Sequence, residues 1–290
     1  MMRIAGALFA YLQYLLPRHW MTRAVYRLAR IRAVGVKDAL IRSFVRLFNV
    51  NVDEVAGEVP ADFATLNAFF IRELKADARP VAGGKDAIVS PVDGTVSECG
   101  SLQENRILQA KGIDYTLEDL FAIDLDDARQ YRGGTFATLY LAPYNYHRVH
   151  MPVDGELVAA HYVPGDLFSV NRATAAHIDG LFRRNERLNL HFDTPCGPAA
   201  LIFVGALNVG SISTPWTGEI RPRSKGVVES RPLDNHGTSL ARGDLLGWFN
   251  MGSTVICLFP EGVATWNDAL EPGATVRMGE AIGTLSGRRA

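Results

Sequence analysis

The stretch Gly252-Ser253-Thr254-Val255-Ile256-Cys257-Leu258-Phe259 sets a Gly-Ser step directly against an uninterrupted apolar run. A short run entered through a residue without a Cβ is how a turn delivers the chain into a strand. Comparable runs, broken by Gly, Pro and Asp, follow one another from Ile88 onward: Gly134–Leu141, Ala199–Val204 and Val209–Ile212. Residues 88–290 therefore read as a mainly antiparallel β domain with a helical insertion near Leu117–Arg129. Two internal echoes point to a sandwich- or barrel-like architecture built from similar pieces. Pro91-Val92-Asp93-Gly94 returns as Pro152-Val153-Asp154-Gly155, and Arg242-Gly243-Asp244-Leu245-Leu246-Gly247 is answered by Arg277-Met278-Gly279-Glu280-Ala281-Ile282-Gly283. As short motifs both are ordinary turn punctuation.

Upstream the pattern changes from β to helical. Between Met1 and Phe48, Leu40, Ile41, Phe44, Val45, Leu47 and Phe48 alternate with Asp38, Arg42 and Arg46 at helical spacing. A further helix is expected from Asp62, as N-cap, through Phe63, Leu66, Phe69 and Phe70 to about Leu74, ending before Arg79-Pro80. The fold class expected is α+β, with N-terminal amphipathic helices over residues 1–60 and a catalytic β-rich domain over residues 61–290.

With 48% hydrophobic and 21% charged residues in 290, the chain is globular and can bury one large core. Its net charge of -1 conceals a split. Residues 1–48 carry nine basic side chains against Asp38 alone, so the front is +8 and the remainder -9. Together with Tyr11, Tyr14, Trp20 and Tyr26, this composition suits helices lying in a membrane interface against an anionic surface. A helical hairpin packed on the core is the competing reading. The longest uncharged apolar stretch, Ile4 to Leu16, is 13 residues and stops at Pro17, short of the roughly 20 that span a bilayer. A signal peptide fits less well, because an Arg-rich segment follows with no small-residue cleavage site. Cys99, Cys196 and Cys257 are odd in number and widely spaced, which suggests neither a disulfide framework nor a thiolate metal site and fits a reducing compartment.

Three places combine reactive groups with turns. At Gly252-Ser253 the missing Cβ permits torsions that let the Ser253 hydroxyl approach the Gly252 carbonyl carbon. Attack there turns the amide into an ester, β-elimination breaks the chain, and hydrolysis of the resulting dehydroalanine leaves an N-terminal pyruvoyl group. In Tyr146-His147-Arg148-Val149-His150-Met151-Pro152, two histidines lie three apart. Neither a His-Glu-x-x-His pattern nor a cysteine pair accompanies them, so acid-base work is favoured over metal binding. A strand presenting one His inward and one outward would show the same spacing. In Ser90-Pro91-Val92-Asp93-Gly94 the carboxylate of Asp93 could orient a His, or simply close an Asx-turn.

Taken with Phe69-Phe70-Ile71-Arg72-Glu73-Leu74, Ala78-Arg79-Pro80, Leu167-Phe168-Ser169-Val170-Asn171, Val204-Gly205-Ala206-Leu207-Asn208-Val209-Gly210-Ser211-Ile212 and Gly247-Trp248-Phe249-Asn250-Met251-Gly252-Ser253-Thr254, these motifs resemble the phosphatidylserine decarboxylase family in order and spacing from about residue 62 onward. The resemblance implies self-cleavage between Gly252 and Ser253. Asp93, His150 and Ser253 match the charge-relay set for cleavage, Ser253 becomes a covalent pyruvoyl cofactor, and His147 matches the histidine of decarboxylation. Phosphatidylserine would condense with the pyruvoyl carbonyl as a Schiff base, lose CO2 and leave as phosphatidylethanolamine, with no metal. The implied setting is peripheral, on the cytoplasmic face of the inner membrane. The two cleavage fragments would form a heterodimer, a homodimer of these is compatible, and nucleic acid is not a partner. Met251 departs from the family's frequent Leu at little cost in volume.

Two other classes compete. Ser253, His150 and Asp93 could form a hydrolase triad without self-cleavage, but the Gly-x-Ser-x-Gly elbow is missing. The second echo resembles lipoyl- and biotinyl-carrier-like sandwiches, which suggests a non-catalytic binding module, yet no Lys sits in the Glu280 turn to carry a prosthetic group.

Overall fold

A computed structural model describes residues 2–110, 112–122, 128–208, 211–231, 233 and 239–286. Val209 and Gly210, part of one expected strand, lie outside the described residues, as does the middle of the expected helical insertion. That insertion begins as a helix over Leu117–Phe121, capped by Thr116. The expected α+β character holds: helices Met2–Leu12, Arg18–Leu28 and Val34–Phe48 precede an array of antiparallel sheets. Among the described residues no helix is long and apolar enough to cross a membrane.

The helix expected over 62–74 is shorter, Leu66–Phe70, and its N-cap is Thr65, whose hydroxyl accepts from the Ala68 amide at 3.0 Å. Asp62 instead accepts from the Glu58 amide. Beyond Phe70 the chain is drawn out of the helix, because Leu74 bridges to Val55 and Arg72 reaches the Tyr144 and Asn145 carbonyls. Tertiary partners override local propensity here.

The central sheet runs in the order 229–230, 155–163, 187–194, 197–204, 253–259, 135–141, 94–101 and 275–276, with 239–240 also paired to 155–163. Strand Ser253–Phe259 is buried at every position and flanked on both edges, by Thr135–Leu141 and Gly197–Val204. Three smaller sheets, 87–89/281–285/264–266, 148–150/245–249/212–214/218–220 and 106–110/113–116, complete the β domain among the described residues.

The two sequence echoes are halves of a pseudo-twofold duplication. Gly279 donates to the Ser90 carbonyl as Gly243 does to that of Met151, and Ser90 donates to Glu280 as Met151 does to Asp244. Across the dyad, Val89 donates to Pro152 and His150 to Pro91. The strand registers repeat as well: Thr95 faces Thr275 as Glu156 faces Ser239, and the bulge after Val96 recurs after Leu157. The dyad passes between the facing residues Leu201 and Cys257. Gly94 and Gly155 hold equivalent places because a Cβ would come within 2.7 Å of the Tyr140 carbonyl oxygen and 2.9 Å of that of Asp193, respectively.

In chain order the second half, 148–249, is inserted into the first between Leu141 and Ser253, which face each other across the sheet. The equivalent strands of the second half, 187–194 and 197–204, are joined by a tight turn with Thr194 facing Gly197. Gly252–Ser253 is thus the point where the chain rejoins its first half.

The N-terminal helices divide their apolar surface. Val34–Phe48 turns Ile41 and Phe44 onto Phe63, Phe69 and Phe70, so its expected membrane face is largely spent on packing. The first two helices dock through few residues. Buried Gln13 accepts from the Ser169 amide and donates to the Thr174 hydroxyl, Tyr14 meets Phe168 edge-on, Arg18 pairs with Asp166, and the Thr22 hydroxyl accepts from the Asn208 amide. Twelve of the eighteen exposed large hydrophobic side chains among the described residues lie between Leu8 and Leu47, which leaves this region with an unburied apolar surface.

Candidate active site

Ser253 opens the buried central strand, and its hydroxyl is fully buried without a hydrogen-bond partner. On the other side of Gly252 the chain is clamped. Asn250 donates from its amide to the Ser211 and Ser213 hydroxyls at 2.8 and 3.0 Å and accepts from Asn67 at 3.0 Å. Met251 packs into the cluster of Phe69 and Phe70. Gly252 is therefore held between a polar clamp and a strand. The space beside it is narrow, since a Cβ there would lie 3.4 Å from both His147 Nε2 and the Leu141 carbonyl oxygen.

His147 is completely buried. Its Nδ1 lies 2.9 Å from the Asn145 carbonyl oxygen, which can only accept, so Nδ1 carries the proton and Nε2 the lone pair. That Nε2 has no partner and faces Gly252. The Phe70 ring stacks on the imidazole at 4.0 Å. Burial, reinforced by the Arg72 guanidinium, pulls its pKa down to about 3, which makes it a neutral imidazole across the physiological range. Arg72 donates to the same Asn145 carbonyl and to that of Tyr144. Buried polar groups are ordinarily satisfied, so two unpaired ones flanking one peptide bond mark a place built for something other than stability.

His150 sits differently. Its Nδ1 donates to the Gly243 carbonyl at 2.7 Å, and its Nε2 accepts from the Tyr146 hydroxyl at 3.0 Å with the rings stacked. Burial again lowers its pKa, against the opposing pull of the Gly243 carbonyl. Asp93 accepts a two-pronged bond from Arg79, at 2.8 and 2.6 Å, and a third from the Met278 amide at 2.9 Å. Asp154, its equivalent across the dyad, likewise accepts from the Arg242 amide at 2.8 Å, so that backbone contact belongs to the repeated turn. What distinguishes Asp93 is Arg79, which is also paired with Glu54.

The structure therefore brings His147 to Gly252, and brings Tyr146 and His150 together. Asp93 and His150 are near enough to interact electrostatically, but each is hydrogen-bonded to other groups. Sequence reasoning assigned no role to Tyr146, Arg79, Arg72 or Asn250. All four fall within the quoted motifs, but only the folded chain shows which groups they hold.

The chain was also compared with known proteins. A family model described as phosphatidylserine decarboxylase matches residues 66–284, and a second, described as PSD, matches residues 8–49. A curated phosphatidylserine decarboxylase proenzyme of Azotobacter vinelandii is 46% identical over 281 residues, covering 96% of this chain and 98% of its own. That of Alcanivorax borkumensis is 46% identical over 286 residues, with 98% of each chain covered, and that of Saccharophagus degradans is 44% identical over 281, with 96% and 97% covered.

Proposed function

The chain belongs to the phosphatidylserine decarboxylase family, and from that premise we propose that it is a proenzyme that cuts itself between Gly252 and Ser253 and then decarboxylates phosphatidylserine to phosphatidylethanolamine. The observation that carries the self-cleavage is the junction itself: a glycine pinned between the Asn250 clamp and a buried strand, with the Ser253 hydroxyl and His147 Nε2 beside it, both buried and unpaired.

A pyruvoyl group at position 253 would supply an electron sink for the bond to the departing carboxylate. The site suits such a group, since Ser253 already presents a buried, uncommitted oxygen next to an imidazole. The remaining work falls to this chain's own side chains. In cleavage, His150 is the base that takes the Ser253 proton, with Asp93 favouring the imidazolium so formed. This requires Nε2 to release Tyr146, which holds it in the uncleaved chain.

His147 acts afterwards. Once CO2 has left, it is the group placed to deliver a proton to the substrate Cα beside position 253. The buried imidazole of the uncleaved chain is neutral, so this role requires its pKa to rise from about 3 once the site is cleaved and occupied.

The exposed apolar and cationic surface of the first two helices supports a peripheral seat on an anionic membrane, at the cytoplasmic face of the inner membrane. Residue 60 then divides an interfacial segment from the catalytic domain by task. The fragments 1–252 and 253–290 work as a heterodimer, two of which could associate.

Two variants test the division of labour. His150→Ala should accumulate the uncleaved chain on a denaturing gel. His147→Ala should be cleaved yet form phosphatidylethanolamine about 10²- to 10⁴-fold more slowly. An uncleaved His147→Ala beside a cleaved, inactive His150→Ala would reverse the roles.

A further inference from the structure

Residues 221–228, Arg-Pro-Arg-Ser-Lys-Gly-Val-Val, hold three cations and no acid in the part of the chain that is otherwise acidic, -9 beyond residue 48. The segment leaves the hairpin formed by Ile212–Thr214 and Gly218–Ile220 and runs along helix Arg18–Leu28. Contacts at both ends of the helix fix that course. Near its C-terminus, Arg221 donates to the Tyr26 hydroxyl at 2.8 Å with its guanidinium 4.8 Å from the Tyr26 ring centre, and Arg30 pairs with Glu219 at 2.8 Å. Near its N-terminus, the Gly165 amide donates to the Arg223 carbonyl at 3.0 Å while the adjacent Asp166 pairs with Arg18 at 2.8 Å.

Exposed apolar side chains occur on both elements and on the short turn Gln13–Leu15 before the helix. Val227 is 77% exposed, Leu15 82% and Trp20 71%, three of the four most exposed large hydrophobic side chains among the described residues. Arg223 shares Glu229 with Arg231 and Arg221 shares Glu219 with Arg30, so the outward positive charge of the segment rests chiefly on Lys225, which is exposed. An exposed apolar side chain two residues from a lysine unpaired among the described residues is the same chemistry as the neighbouring helix, which carries exposed Trp20 among its arginines.

We propose that residues 221–228 form a second membrane-contact element, which lays Val227 into the interface and Lys225 against anionic lipid headgroups alongside helix Arg18–Leu28. The inference rests on the reading that the N-terminal helices sit on a membrane. It makes the docking face a composite of two separate stretches of chain, the helix and residues 221–228, and so fixes the orientation of the β domain over the bilayer.

The test is vesicle binding by the full-length protein, using phosphatidylcholine vesicles with and without phosphatidylglycerol. Lys225→Ala should weaken binding to the anionic vesicles about fivefold and leave binding to the zwitterionic ones unchanged. Val227→Asp should weaken both by about tenfold. Both variants should self-cleave as wild type does, which controls for folding. If wild type binds and both variants match it, the second element is refuted while the helical anchor stands. If Lys225→Ala loses equally on both vesicle types, headgroup recognition is refuted. If wild type binds neither, the membrane reading itself falls.

Discussion

At the scale of single residues, the two histidines of Tyr-His-Arg-Val-His differ by environment more than by position. His147 is enclosed, unpaired at Nε2 and aimed at Gly252, whereas His150 is held at both ring nitrogens. The residue types were legible in the sequence, as was the likelihood that residues three apart would serve different ends. The partners were not, because Arg79 on Asp93 and Tyr146 on His150 are fixed by tertiary placement. The burial of His147 has a consequence for stability. Its folded pKa of about 3 lies below the ordinary value of 6.5, so between these limits the unfolded chain binds a proton that the folded chain does not. Stability is therefore lost as pH falls through that window, by about 2 kcal/mol at pH 5 from this residue. Urea unfolding of the uncleaved Ser253→Ala protein at pH 7 and pH 5 should show that loss, and adding His147→Gln should remove it. An equal loss in both proteins would refute the assignment. The paired comparison also separates His147 from Glu186, whose carboxyl is pushed by burial up to about 7.

At the scale of elements, the β runs and both echoes were readable because each is a local pattern of turn residues and apolar positions. The expected helix over 62–74 was too long, since Leu74 and Arg72 are claimed by partners distant in sequence. The insertion of one half-sheet into the other was not readable, because pairings such as Gly279 to Ser90 join segments far apart in the chain. That insertion determines what cleavage does. The fragment 253–290 supplies strand Ser253–Phe259, paired on both edges, and also Ala264–Trp266, Thr275–Val276 and Ala281–Leu285. Cutting one bond at its start leaves all of these ladders intact. Cleaved protein should accordingly elute from gel filtration as a single species carrying both chains and separate only in denaturant. Release of the small fragment under native conditions would contradict the interleaved topology.

At the scale of the whole molecule, the duplication gives two equivalent turn modules, one holding Asp93 and the other Asp154, yet only one junction is interrupted by an inserted half. The unpaired Ser253 hydroxyl and His147 Nε2 lie at that junction, whereas at its equivalent Thr194 and Gly197 close a tight turn. The N-terminal helices differ in what they bury: the third packs Phe44 on Phe70, whose ring lies tilted against His147, while the first two keep much of their apolar surface exposed. The central claim is that Gly252–Ser253 is broken to make the active protein, and the intact mass of the purified protein under denaturing conditions tests it most directly. Wild type should give two masses, for residues 1–252 and for a 38-residue fragment 253–290 with a blocked N-terminus, and Ser253→Ala should give one. A single full-length mass from wild-type protein that still converts phosphatidylserine to phosphatidylethanolamine would contradict the account.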